Sequence, residues 1–335
     1  MIDVALPVGL ATGIGSLPHA DVDEAIAFVL EHQPRLPAAP SLPRRSGVEG
    51  MIAQAAWGIT GVSVLPDGSL LVDEGVVDPE LPLTDLGVGG EPFVGLRAFL
   101  AAMTDRTSPI KLQITGPVTL GIALHACGVD APKAFAVAAN AVEARAREVL
   151  SVARAAAPDA PLVMFLDEPG LTAALDPDFP LRVGDTLDTV SRSLAVIERG
   201  AVAGLHCCGR ADWQAVLYAG PQVVSVPVGM GATEHTSAFV NYLEGGGWVA
   251  WGAVPTDGPV GTTADRHWRE LADLWCSLVQ GGCDAGRLRR QAIVTPACGL
   301  ATLALPYARR VVDLTAELAR RLEAQAVRLG IDLGA

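Results

Sequence analysis

His206 and Cys208 close a short apolar run, Ala-Val-Ala-Gly-Leu-His-Cys-Cys-Gly, and a further thiol, Cys298, lies far downstream in Thr-Pro-Ala-Cys-Gly-Leu. Side chains two apart on a strand point the same way, so His206 and Cys208 share a face while Cys207 looks the other way. One imidazole and two thiolates form a ligand set for tetrahedral zinc with one position left open. Such a metal binds and activates another thiol, pulling its pKa well below ~8.5 and so supplying a nucleophilic thiolate near neutral pH. Two buried cysteines beside a satisfied core histidine are the structural alternative for the same residues.

Two further stretches have the residue types to hold a small polar substrate. Ile14-Gly15-Ser16 ends an apolar run, and its backbone amides with the Ser16 hydroxyl suit a small carboxylate. The stretch is not a dinucleotide loop, because Pro18 stands where a third glycine would be needed. Asp167-Glu168-Pro169 ends another apolar run. Adjacent carboxylates are costly to bury unpaired, so Asp167 is expected to meet a cation such as a substrate ammonium, and Glu168 to stand beside it. Asp21 and Glu24 read as a capping box with a structural role. Asp265-x-His267 reads as mid-helix with Glu270 where a corrinoid-ligating motif would need glycine, so no cobalamin module is expected within these residues.

Positioning these groups requires strands that end beside one another. Apolar, β-branched runs at Val8–Gly13, 35–38, Lys111–Thr115, Leu162–Leu166, Ala203–His206, Val223–Val226, Trp248–Ala253 and Ala292–Thr295 alternate with helical patterns at Val22–His32, 132–156, Arg182–Glu198, Ala264–Val279 and 307–329. That alternation predicts parallel strands with crossover helices and, with eight strands, a (β/α)8 barrel spanning residues 1–335 as one domain. Every candidate group falls at a carboxyl-terminal strand end, where barrel enzymes build their sites. Between the second and third strands, Gly61–Leu65, Pro66-Asp67-Gly68 and Ser69–Asp73 predict an inserted β-hairpin, either a lid or a surface decoration.

Composition narrows the partners. The chain has 335 residues, half of them hydrophobic, and a net charge of −13, which argues against nucleic acid or an anionic membrane. No apolar run approaches the ~18 residues of a membrane helix, and no signal peptide is evident, so a cytoplasmic location is expected. Six cysteines in such a chain suggest reduced thiols. Cys127, Cys276 and Cys283 are expected to be simply buried.

Taken together, Ile14-Gly15-Ser16, Gly116-Pro117-Val118-Thr119, Asp167-Glu168-Pro169, His206-x-Cys208 and Cys298-Gly299-Leu300 resemble, in order, the motifs of the zinc-bearing catalytic barrel of cobalamin-independent methionine synthases. The resemblance implies that His206, Cys208 and Cys298 ligate zinc, that Ile14 and Ser16 contact the backbone of homocysteine, and that Asp167 binds its amino group. It implies a homocysteine S-methyltransferase with a methyl-folate donor. The chain departs from the family where a glutamate ligand is usual, since the strand at Val223 ends on Pro227, with Glu234 in the next loop as a substitute. It departs again at Leu171-Thr172-Ala173, where a second acidic residue is usual. The family's folate-dependent enzymes also carry an additional N-terminal barrel with no counterpart here, which favours a methyl-corrinoid donor, free or on a corrinoid protein. A zinc methyltransferase for another thiol, and a non-catalytic barrel binding zinc or an amino acid, remain as alternatives.

Overall fold

A computed structural model describes residues 6–328. Its main sheet has seven parallel strands in the order β1-β9-β8-β7-β6-β5-β4: β1 (Leu10–Ala11), β4 (Ile110–Thr115), β5 (Leu162–Asp167), β6 (Val202–His206), β7 (Val223–Pro227), β8 (Trp248–Val254) and β9 (Ala292–Pro296). The remaining pair, β2 (Val62–Val64) and β3 (Leu70–Val72), forms the predicted antiparallel hairpin. The main sheet curls, and helices flank it.

Alternation along the strands creates two separate apolar clusters. Leu10, Val163, Phe165, Val202, Val223, Trp248, Ala250 and Ile293 pack together on the concave face. Leu112, Met164, Leu166, Leu205, Val224, Val226, Trp251 and Val294 belong to the larger core that meets the helices. A strand buried on both faces reads as a continuous apolar run, which is why these segments were legible without a polar side.

One predicted strand is absent. Residues 35–38 form no strand; Ala38 makes only an isolated parallel bridge to Lys111. Pro34, Pro37, Pro40 and Pro43 punctuate this stretch, and each removes a backbone donor and fixes φ, so a regular ladder cannot run through it. The stretch still spans the gap between β4 and the segment after β1. The Lys111 N–H donates to the Pro37 carbonyl and the Ala39 N–H to Lys111 on one side, while Leu17 N–H donates to Ser41 and Ser41 N–H to Gly15 on the other.

The helices at Val22–His32 and Leu305–Arg328 match their predicted extents closely. Asp21 caps the first, accepting from the Glu24 N–H at 2.9 Å. The hairpin is tied down rather than hinged. Its Asp67-Gly68 turn lies so close to Gly47 that a β-carbon there would be 2.4 Å from the Asp67 carbonyl carbon. Arg145 donates to the carbonyls of Trp57, before the hairpin, and of Asp85 and Gly87, after it, and so ties its flanking segments together. Two cysteine expectations fail: Cys127 and Cys276 are exposed, and only Cys283 of that trio is buried. Cys276 lies in the amphipathic helix Asp265–Gln280, where solvent or core is set by angular position and not by residue type. No described helix is long and apolar enough to cross a membrane.

Candidate metal and amino-acid site

His206, Cys208 and Cys298 come together although 90 residues separate the last two in sequence; their candidate ligand atoms lie within 4.8 Å of one another. β6 ends at His206 and β9 just before Cys298. The Ala297 N–H donates to Val254 at the end of β8, and the Leu300 N–H donates to Ser16 beyond β1. These two bonds fix the turn that carries Cys298. Gly299 leaves room there for the Ser16 side chain, since a β-carbon would sit 2.1 Å from its hydroxyl oxygen and turn it away.

The imidazole is set for ligation. His206 and Ser225 are paired in register across β6 and β7, and Nδ1 lies 2.8 Å from the Ser225 hydroxyl. Nε2 is buried with no hydrogen-bond partner. A buried polar atom left alone is expensive, and here it points to a missing electrophile: with Nδ1 engaged, Nε2 is the free donor of a His/Cys/Cys set suited to zinc. The two thiols interact as well. A hydrogen bond from Cys298 lowers the Cys208 pKa, while the same bond, together with burial, holds Cys298 up to about 12. Ser225→Ala is expected to weaken zinc binding about tenfold through loss of imidazole orientation, measured by competition with a chelator.

One cleft of about 390 Å³ contains Ile14, Ser16, Asp167, His206, Cys208 and Cys298 in its walls. Asp167 sits beside His206 in the β5–β6 register, and its Oδ1 is buried without a partner. Burial raises its pKa, opposed by the nearby charges of Lys111 and His206. No residue of β2 or β3 is among the cleft walls; Met51 and Gln54, on the short helix Met51–Ala56, form that side of the mouth.

Other predicted residues go elsewhere. Glu168 turns away from the cleft into the amino terminus of the helix Pro117–Ala126: its carboxylate accepts from the N–H groups of Val118 and Thr119, each at 2.8 Å, and from the Thr119 hydroxyl at 2.6 Å. Burial nevertheless pushes its pKa up to about 7. Gly15 lies behind Ile14 and Ser16, where its φ of +144° and the Gln113 side chain exclude a β-carbon. Glu234 is not a substitute ligand. It sits on the 3-10 turn Ala232–His235 and pairs with Arg210 through both carboxylate oxygens at 2.9 and 2.7 Å. Pro227 ends β7 buried, so β7 contributes the Ser225 hydroxyl and no ligand.

Sequence reasoning missed Ser225 and Lys111. Both sit on concave-face positions of their strands, Ser225 opposite His206 and Lys111 opposite Val163. A polar residue at alternate positions of an otherwise apolar strand was the available signal.

No protein-family model matches the sequence, and no curated protein matches it. Among solved structures, a Listeria monocytogenes protein provisionally described as a vitamin-B12-independent methionine synthase matches with a TM-score of 0.56 at 14% identity, over 91% of this chain and 85% of that one. The two share a fold. A GH10 xylanase from Thermobacillus composti matches with a TM-score of 0.32 at 13% identity, over 94% of this chain and 97% of that one, too distant to carry an argument.

Proposed function

We propose that the chain is a zinc-dependent S-methyltransferase that converts homocysteine to methionine, built on a (β/α)8 barrel in which residues 37–41 stand in for the second strand. The observation that carries the reading is the coincidence in one cleft of the His206/Cys208/Cys298 ligand set with Ile14, Ser16 and the unpartnered Asp167 oxygen. Zinc, when bound, supplies a Lewis acid that keeps an acceptor thiol ionised near neutral pH. Ser16 and the backbone beside Ile14 hold the carboxylate of the amino acid, and Asp167 accepts its ammonium. With the amino-acid end held by both of its charged groups, the thiol at the other end reaches toward Cys208 and Cys298. Orientation of this kind converts an encounter into a near-unimolecular step. The homocysteine sulfur, its proton lost to solvent, forms the new bond to the methyl carbon. The bond from that carbon to the donor breaks, and its electron pair leaves with the donor. A methyl-corrinoid or methyl-tetrahydrofolate fits that requirement.

Metal analysis of the purified protein, followed by zinc-edge absorption with and without homocysteine, tests the reading. Zinc with an added sulfur in its shell is the expected result. Zinc with an unchanged shell would assign the site to another thiol acceptor, and absence of zinc would return His206 and the two cysteines to the core.

A further inference from the structure

Lys111 is a buried cation on the concave face of β4. It is 1% exposed, and its Nζ donates to the Ile14 carbonyl at 2.6 Å and to the Gln113 side-chain oxygen at 3.2 Å. The ammonium also lies 4.8 Å from the centre of the Phe165 ring, which lies over Gly204, its register neighbour on β6, where a β-carbon would meet it. Both hydrogen-bond acceptors are neutral. The carboxylate that attracts Lys111 is Asp167, yet Asp167 Oδ1 has no hydrogen-bond partner. Desolvation lowers the lysine pKa to about 8. An ammonium buried against neutral acceptors destabilises a fold, so purely structural use of this position would favour an apolar side chain.

What Lys111 holds explains its presence. Ile14 and Ser16 are two of the groups assigned above to the acceptor, and Asp167 is the third. Gln113, bonded to Lys111, donates in turn to the Ala39 carbonyl at 2.6 Å and occupies the space beside Gly15. The ammonium is therefore joined to the Ile14–Ser16 loop directly and through Gln113. Its charge also favours the ionised form of Asp167, whose Oδ1 stays without a hydrogen-bond partner.

We propose that Lys111 is a positioning residue for the amino-acid end of the acceptor, presetting the Ile14–Ser16 loop and the Asp167 carboxylate to receive a carboxylate and an ammonium. This rests on the acceptor reading above. Lys111 has no part in metal binding and does not touch the reacting sulfur.

The test is Lys111→Met, which keeps an unbranched apolar stem, one atom shorter, and removes the charge. Zinc content is expected to stay at the wild-type level, and the melting temperature to be no lower than wild type. Homocysteine affinity, read from the added sulfur in zinc-edge titrations, is expected to fall at least about tenfold. Where turnover is measured, KM for homocysteine should rise while kcat at saturation changes little. Ser16→Ala in the Lys111→Met background should weaken binding far less than Ser16→Ala alone, because the two act through one loop. A Lys111→Met protein that fails to fold, melts lower, or binds homocysteine as wild type does would overturn the role of Lys111 alone. Wild-type protein that takes no homocysteine would overturn the acceptor reading and this inference together.

Discussion

Cys298→Ser is expected to strip the protein of zinc, from about one equivalent to less than a tenth after dialysis. The wild-type set has three candidate ligand atoms within 4.8 Å of one another, and the substitution replaces a thiolate with a hydroxyl that stays protonated at neutral pH. Two protein ligands remain, too few for a closed or catalytic zinc site, which uses at least three. Methyl transfer, wherever it is measured, should fall with the metal. Cys207→Ser is the matched control. Cys207 is fully buried, and its sulfur lies 3.7 Å from the Thr172 hydroxyl, outside the ligand cluster. This variant should keep its zinc even where it loses some stability. Equal zinc in wild type and Cys298→Ser, measured by plasma emission, would remove Cys298 from the ligand set.

Asp167→Asn should leave zinc in place and weaken homocysteine binding by about a hundredfold, the scale of breaking one charge partner in a desolvated site. The substitution preserves volume, and the strand register that places residue 167 beside His206 is a backbone property. The loss should therefore be specific to the ammonium. Wild-type protein is expected to prefer homocysteine strongly over its desamino analogue, a mercapto acid with carboxylate and thiol but no amine. Asp167→Asn should bind the two about equally. A variant that retains the preference would show that the ammonium is held elsewhere.

Much of this arrangement could be read from the sequence because most strands of the parallel sheet are buried on both faces. β5 to β9 announced themselves as largely apolar runs, β4 as Ile, Leu and Ile alternating with Lys111, Gln113 and Thr115, and the alternation within Leu-His-Cys-Cys put His206 and Cys208 on one side. Cys298 followed from chemistry, since a lone His-x-Cys pair is an incomplete ligand set. The segment at 35–38 was misread because its apolar residues suggest a strand, while Pro34, Pro37, Pro40 and Pro43 limit the pairing to an isolated bridge with a neighbour on either side. Glu168 was grouped with Asp167 by adjacency, yet neighbours on a chain leaving a strand point apart. Glu168 satisfies the amino terminus of the next helix, and Asp167 faces the cleft.

Sequence by itself determined the identities and spacing of the chemistry-bearing residues, the α/β class, and the strand ends at which those residues stand. These are local matters of periodicity, turn chemistry and ligand type. Tertiary structure alone decided that His206 Nδ1 meets Ser225, that Glu234 is spoken for by Arg210, that Cys298 closes on Cys208, and that Lys111 lies under the Ile14 loop. Each of these depends on strand register and on the curl of the sheet, which bring together atoms up to 97 residues apart in the chain. No local pattern carries that information, because register is set by the packing of all the strands at once.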